Sequence, residues 1–298
     1  NKGKTSIMRS TENWKDYELI DASEGERLER WGDIILIRPD PQAIWKTPRL
    51  DPRWKQAHGR YHRSKSGGGK WEFYKKIPEV WSINYGSLKF NLKPMGFKHT
   101  GIFPEQAVNW DFCAELIKKS QKPLKILNLF GYTGAATLSA LAAGASVTHV
   151  DASKGMVAWG KENAQISRLS DRPVRWLVDD CIKFVNREIR RGNIYDGIIL
   201  DPPSYGRGPG GEVWQLEEKL YDFLLSCKKL MNKDSSFIML NSYTTGFSAG
   251  VCGYTLGEIF QKDFGGKIIC DEIGLPVSAS GRVLPCGATT IWTKEDVL

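Results

Sequence analysis

Two hydrophobic rhythms alternate along the chain from about Phe103 onward. Short apolar runs predict buried strands at Lys125–Phe130, Ser146–Asp151, Val174–Val178, Tyr195–Leu200 and Ser236–Leu240. Longer segments with helical spacing predict helices over Pro104–Ser120, from Ala135 to Ala143, Ser153–Leu169, Cys181–Arg191, Leu216–Met231 and Tyr254–Lys262. Local signals agree with these limits. Pro104 suits a first helical turn, Ser153 an N-cap and Gly144 a C-cap. Lys267–Ile273 and Ala288–Thr293 close the series as an antiparallel pair. Strands alternating with helices imply an α/β fold, a mostly parallel sheet covered on both faces.

Residues 1–98 follow another pattern, β-rich and irregular, and are read as a separate basic domain ahead of residues 99–298. Asp33–Arg38 predicts a strand ending at Pro39, and further strands fall at Glu79–Tyr85 and Lys89–Leu92. Four prolines make 39–55 a long loop. His58–Lys70 is basic and glycine-rich, and reads as a flexible loop.

Composition narrows the class. The chain is 41% hydrophobic and 26% charged, as in globular proteins. No apolar run approaches the ~20 residues that span a bilayer, and no signal-peptide pattern opens the chain. The first residue is Asn, so residues can be missing ahead of it. Six scattered cysteines form no Cys-x-x-Cys pair, which disfavours a zinc site or disulfide framework and suits a reducing cytoplasm. No metal is expected. The net charge of +8 lies wholly in residues 1–100, which carry 20 Lys and Arg against 12 Asp and Glu. Residues 101–298 balance at 22 against 22. Such asymmetry favours a polyanionic partner over a basic face kept for solubility.

Ligands in parallel sheets bind beyond the C-terminal strand ends, where strand order reverses. Phe130–Gly134, Asp151, Asp180 and Asp201 all fall at such ends. The first is a glycine turn, Phe130-Gly131-Tyr132-Thr133-Gly134. Dinucleotide folds use three spaced glycines to bring backbone against a pyrophosphate. Here one is missing and Tyr132 fills the turn, which disfavours NAD and FAD. Asp151 can accept both hydroxyls of a ribose. S-adenosylmethionine (SAM), a nucleoside without phosphate, fits both features. Asp180 can accept from an adenine amino group with Cys181 backbone beside the ring, although acids also favour helix starts in their own right. In Asp201-Pro202-Pro203-Ser204-Tyr205 the prolines fix an extended turn. Its carbonyls and carboxylate can hold the hydrogens of a planar amine. Tyr205 can stack on a base, worth ~1–3 kcal/mol.

These motifs, together with Val150–Lys154, Trp159, Glu162-Asn163, the run Asp201–Trp214 and Lys98–Gln106, resemble the class I SAM-dependent methyltransferases. More narrowly they resemble the bacterial family that methylates large-subunit ribosomal RNA. The resemblance covers about residues 80–298. It implies a Rossmann-like seven-stranded catalytic sheet and cytoplasmic action on RNA. It also implies SAM contacts at Phe130, Gly131, Tyr132, Thr133, Gly134, Asp151, Asp180, Cys181 and Asp201, with Phe103 and Gln106 near the methionine end.

The departures shape the chemistry. No PUA module is recognisable in residues 1–75, and Ser204-Tyr205 stands where the family often has Lys-Phe. Members that methylate cytosine C5 carry a cysteine after the fifth strand; here the segment is Leu240-Asn-Ser-Tyr243. C5 needs a covalent thiolate adduct, whereas a nitrogen attacks the methyl group directly. N-methylation at the Asp201–Pro203 turn is therefore favoured, with Cys252 and Cys286 as the remaining candidates for a thiol. Arg60, Arg63, Lys65 and Lys70 can track phosphates, and Tyr61 or Trp71 can stack or pack. Arg207 and Arg282 are loop arginines placed near the cleft. Methylation of a small molecule or protein is the alternative. The sequence does not distinguish a monomer from a homodimer.

Overall fold

A computed structural model of the chain describes residues 8–64, 68–207, 213–244 and 246–294. The chain gathers into two compact units, residues 1–108 with 274–286, and residues 109–273 with 287–298. The first unit thus takes in a segment from far along the chain, which a single cut after residue 98 leaves out.

In the first unit β1 (Tyr17–Ser23), β2 (Glu26–Trp31) and β3 (Ile34–Pro39) form an antiparallel meander. β4 (Gly59–Arg63) joins β3 in parallel, β5 (Gly69–Phe73) pairs antiparallel with β4, and Leu19 of β1 pairs in parallel with Val277. β6 (Trp81–Tyr85) and β7 (Leu88–Leu92) make a separate hairpin. Ile20, Leu28, Ile37, Trp54 and Ala57 form an apolar cluster. β1 and β2 hide from a hydrophobicity reading because charge is buried within them. Glu29 is fully buried and accepts from Arg38 at 2.5 and 2.7 Å and from the Tyr17 hydroxyl at 2.8 Å.

The reading of 58–70 as a flexible loop is corrected, because β4 and β5 occupy most of it. Gly59 and Gly69 sit where a side chain would collide with a neighbour. A Cβ on Gly59 would fall 2.7 Å from the Phe73 ring, and one on Gly69 2.2 Å from the His62 carbonyl oxygen.

The second unit contains α1 (Ala107–Lys119, entered from the first unit), β8 (Lys125–Leu129), α2 (Ala135–Ala142), β9 (Ser146–Asp151), α3 (Lys154–Ile166), β10 (Val174–Val178) and α4 (Cys181–Arg190). After β11 (Gly197–Leu200) comes a small ribbon, β12 (Tyr205–Arg207) with β13 (Val213–Gln215). Then follow α5 (Leu216–Lys228), β14 (Phe237–Ser242), α6 (Ala249–Leu256), a widened turn at Gly257–Gln261 and α7 (Lys262–Phe264). β15 (Lys267–Val277) and β16 (Arg282–Thr293) are each divided between the units. The seven-strand order is β10-β9-β8-β11-β14-β16-β15. The first five are parallel, and β16 runs antiparallel to β14. Order reverses beside β8, so the ends of β8, β9, β10 and β11 share one edge.

This mostly parallel sheet is the architecture expected. The helix read as Tyr254–Lys262 begins earlier, at Ala249, where the Ser248 side chain caps it by accepting from Val251 N. A Cβ on Gly253 would sit 3.0 Å from Cys270 Sγ, so the glycine lets this helix lie close to β15. Leu127, Leu129, Ile198, Leu200, Leu240 and Phe223 anchor the core, each fully buried aliphatic contributing about 1.5–3 kcal/mol.

Candidate cofactor and acceptor site

The turn after β8 is held in an unusual backbone form. Phe130 has φ 58°, Tyr132 φ 51° and Gly134 φ 86°. Left-handed conformations at bulky residues cost of order 1–3 kcal/mol each and persist only where neighbours impose them. Here the neighbours are identifiable. Phe130 N–H donates to the Cys181 sulfur at 3.3 Å, and that thiol reaches the Val150 carbonyl at 3.9 Å. Gly131 N–H donates to Val150 O at 3.0 Å and Tyr132 N–H to Asp151 Oδ2 at 2.9 Å. The Asn163 amide donates to Thr133 O at 3.0 Å. A Cβ on Gly131 would fall 2.3 Å from the His149 ring. Gly134 lies against Gly160 of α3, so turn and helix approach as only small residues permit.

The direction of these amides decides between cofactors. A phosphate-cradling loop turns its N–H groups toward the ligand. Gly131, Tyr132 and Gly134 donate instead to Val150 O, Asp151 and Gly131 O. Nothing in that pattern suits a pyrophosphate. Asp151 is half-buried and receives one backbone N–H on each oxygen, from Tyr132 and, at 2.8 Å, from Ser153. A carboxylate has about four lone-pair sites, so each oxygen keeps one for a vicinal diol. Burial holds the Asp151 carboxyl above the usual range, and the two backbone bonds oppose that rise. The carboxylate thus keeps capacity for a further pair of hydrogen-bond donors.

Asp180 is the N-cap of α4, accepting from Lys183 N at 2.8 Å. Cys181 is buried, and burial pushes its thiol far up, which suits packing rather than nucleophilic work. On the other side of the reversal, Asp201 is half-buried, Pro202 buried, and Pro203, Ser204 and Tyr205 exposed. The Pro203 carbonyl accepts from the Trp214 indole N–H at 2.6 Å. The Ser204 and Thr244 hydroxyls hydrogen-bond, joining the segments after β11 and β14. Arg207 contributes backbone to β12, and its side chain lies outside what is described.

Phe103, Gln106 and Arg282 belong to the first unit. Phe103 stacks edge-on with His99 at 5.4 Å, Gln106 is buried, and Arg282 is exposed at the start of β16. On the β4–β5 hairpin Arg63 and Lys70 are exposed, and Lys65 lies outside the described residues. Arg60 is bound through two bonds to Glu26, at 2.7 and 2.9 Å. Tyr61 is buried, Trp71 donates to Met95 O at 2.8 Å, and Phe73 and Tyr74 are the exposed rings.

Comparison with known proteins agrees with the geometry. A family model described as S-adenosylmethionine-dependent methyltransferase matches residues 47–221. The chain belongs to this family. A crystal structure of a SAM-dependent methyltransferase from Agrobacterium tumefaciens is 36% identical, with a TM-score of 0.91 over 98% of this chain and 95% of that one. Two curated relatives are named ribosomal RNA large subunit methyltransferase K/L. The one from Pseudoalteromonas atlantica is 26% identical over 85% of this chain and 38% of its own length. The other, from a Shewanella species, is 34% identical over 74% of this chain and 30% of its own length. The chain thus spans about a third of the curated relatives it matches.

His149, Asn163 and Trp214 are site-building residues to which sequence reasoning gave no role. The signal for His149 was a histidine inside a short β-branched strand, Val147-Thr148-His149-Val150. It is fully buried, its Nδ1 meets the Thr137 hydroxyl at 2.9 Å, and Thr137 accepts from Asn128 at 2.9 Å. Among the described residues no cluster of three His, Cys, Asp or Glu could hold a metal, and no helix is long and apolar enough to cross a membrane.

Proposed function

We propose that this methyltransferase transfers the methyl group of SAM to a nitrogen of a base in structured RNA, ribosomal RNA in the cytoplasm being the favoured substrate. The observation that carries the reading is one shared sheet edge: the Asp151 carboxylate on one side of the strand reversal and the rigid Asp201-Pro202-Pro203 turn on the other. The ribosomal RNA relatives supply the substrate class, and the charge of residues 1–100 agrees with it.

In this reading Asp151 binds the ribose hydroxyls, the turn Phe130–Gly134 the amino-acid end, and Asp180 with the Cys181 backbone the adenine. Phe103 and Gln106 complete the methionine end, as the family resemblance implies. SAM supplies a methyl group activated by its sulfonium. The Asp201 carboxylate and the turn's carbonyls orient the acceptor nitrogen and take its hydrogens, and Tyr205 stacks on the base. The nitrogen lone pair forms the new bond to carbon as the carbon–sulfur pair returns to sulfur, and the displaced proton passes to Asp201 or water. Arg63, Lys65, Lys70, Arg207 and Arg282 are the candidate phosphate contacts.

The described thiols favour nitrogen over carbon C5. Cys286 is buried and burial holds its thiol well above the ordinary value; Cys252 is raised to about 11 by burial. Neither is a thiolate near neutral pH.

The test is transfer of labelled methyl from SAM to total RNA of cells lacking the gene, followed by digestion to nucleosides. Label on a base nitrogen is expected. Label only in protein or metabolites selects the alternative substrate class, and label on cytosine C5 overturns the nitrogen assignment. Asp151→Ala is expected to weaken SAM binding about 100-fold, through the lost ribose acceptor and loosened turn. Asp201→Ala should lower turnover more than SAM affinity, and the reverse pattern would move Asp201 to the cofactor side.

A further inference from the structure

We propose that Trp214 is a positioning residue that ties the cofactor turn to the acceptor turn, so that a filled cofactor site sets the geometry of Asp201–Pro203. The inference rests on reading Asp201–Pro203 as the acceptor side. Trp214 lies on β13 and is 9% exposed. Its indole N–H donates to the Pro203 carbonyl at 2.6 Å, inside the acceptor turn. Its ring meets the Phe130 ring at 5.6 Å and the Phe223 ring of α5 at 5.6 Å, and Phe130 and Phe223 meet at 5.9 Å.

Phe130 is the first left-handed residue of the cofactor turn, and its backbone is held by Cys181 and its ring by this aromatic trio. One side chain therefore touches both halves of the site. The ring braces the residue whose backbone form depends on the cofactor turn, and the N–H fixes a carbonyl of the acceptor turn. β13 and the start of α5 are stitched to the residues just after that turn, since Trp214 pairs with Gly206 across the ribbon and Leu216 N–H donates to Ser204 O at 3.1 Å. A shift of Phe130 on cofactor binding has a direct route to Pro203 through a rigid indole.

The two contacts are chemically separable. Trp214→Phe keeps an aromatic ring against Phe130 and removes the N–H, whereas Trp214→Leu removes both. Phe223→Leu disturbs the same cluster without touching Pro203.

The experiment has two arms. First, protein labelled with nitrogen-15 at tryptophan is titrated with S-adenosylhomocysteine. The indole N–H signal that disappears in Trp214→Phe belongs to Trp214, and it should shift on binding. An unmoved signal overturns the coupling, whatever the methyl acceptor proves to be. Second, labelled methyl transfer to total RNA and S-adenosylhomocysteine affinity are measured for the three variants. Trp214→Phe should keep affinity within about twofold and lose about tenfold in kcat, because the Pro203 carbonyl loses its donor. Trp214→Leu should lose affinity as well. Phe223→Leu should lower the melting temperature and leave kcat near wild type. Wild-type turnover in Trp214→Phe, or losses in Trp214→Phe and Phe223→Leu that track melting temperature equally, would overturn the proposal. Absence of RNA labelling by the wild type would count against the RNA reading, while the signal shift still decides the coupling.

Discussion

The turn after β8 and the β4–β5 hairpin are both marked by glycine, both flanked by aromatics, and both stood out by composition. One is a backbone device and the other a surface. In the turn, glycines 131 and 134 sit among fixed partners, the His149 ring and the Gly160 backbone, and nearby amides are committed to Val150 and Asp151. In the hairpin, Gly59 and Gly69 leave room for close packing between the paired strands, and Arg63, Lys70 and Phe73 reach solvent. Local sequence identifies a site when spacing fixes the partner. The distance from Gly131 to Asp151 is one strand–helix–strand unit, and it brought the two together. A charge run carries no such constraint. Arg60 counted as a free cation until Glu26, 34 residues earlier in the chain, took one edge of its guanidinium, Nε and one Nη.

Alanine at each glycine breaks the comparison most sharply. A Cβ on Gly131 would press 2.3 Å from a His149 ring that is itself fully buried, so the turn must move. Gly131→Ala is expected to weaken S-adenosylhomocysteine binding by about 100-fold, read by calorimetry, at a stability cost of about 1–3 kcal/mol typical of overpacking. A Cβ on Gly59 meets first Phe73, a residue 45% exposed and able to swing away, and then the Glu72 carbonyl oxygen at 3.1 Å. Gly59→Ala should cost less than about 1 kcal/mol and leave cofactor affinity unchanged. Equal effects at the two sites would mean that the turn after β8 is no more constrained than a surface hairpin.

Much of the second unit was legible because every level of its sequence agrees: apolar runs of strand length, caps at helix starts, glycine or proline at the junctions. What was not legible depends on partners distant in the chain. β1 and β2 were missed because Glu29 and Arg38 are buried as a bonded pair, which makes core strands look like surface ones. The hairpin was missed because glycines used for close contact look like glycines used for flexibility. Within the site, Asp151 was visible from spacing, whereas Trp214 was not. Its acceptor is a carbonyl eleven residues away, and carbonyls carry no sequence signal.

Acid sharpens the contrast in a second way. Burial depresses the His149 imidazole to about 3, against about 6.5 when exposed. Below pH 6.5 the unfolded chain takes up this proton and the folded chain does not. Stability from neutral His149 is therefore complete above about pH 6.5 and falls as the pH drops toward 3, by about 1.4 kcal/mol per pH unit. Between pH 7 and 5 the loss from this group is about 2 kcal/mol. His149→Gln, which stays neutral throughout, should lack that portion of the acid sensitivity in urea unfolding. Identical pH profiles for wild type and His149→Gln would remove His149 as the buried support of the turn.

The smallest expected effect bears on the hairpin alone. If β4–β5 tracks phosphates, each cation that meets one contributes about 0.7–0.9 to the slope of log affinity against log salt. Arg63 and Lys70 are exposed, while Arg60 is tied to Glu26, which also binds Arg49 at 2.9 Å. Replacing Arg63 and Lys70 together by alanine should lower the slope for ribosomal RNA by about 1.5. Arg60→Ala should leave the slope where it was and cost about 1 kcal/mol of stability, since the Arg60 side chain is 37% exposed and Glu26 keeps Arg49 as a partner. The distinction is between a cation already neutralised by its own fold and one that still holds counterions to release. Should Arg60→Ala lower the slope as much as Arg63→Ala, Glu26 must give up its partner when RNA binds, and the pairing would be a placeholder for phosphate rather than part of the frame. Should none of the three alter the slope, the excess charge of the first hundred residues acts elsewhere, and the exposed Lys89 of β7 with Lys75 and Lys76 ahead of β6 become the next surface to test.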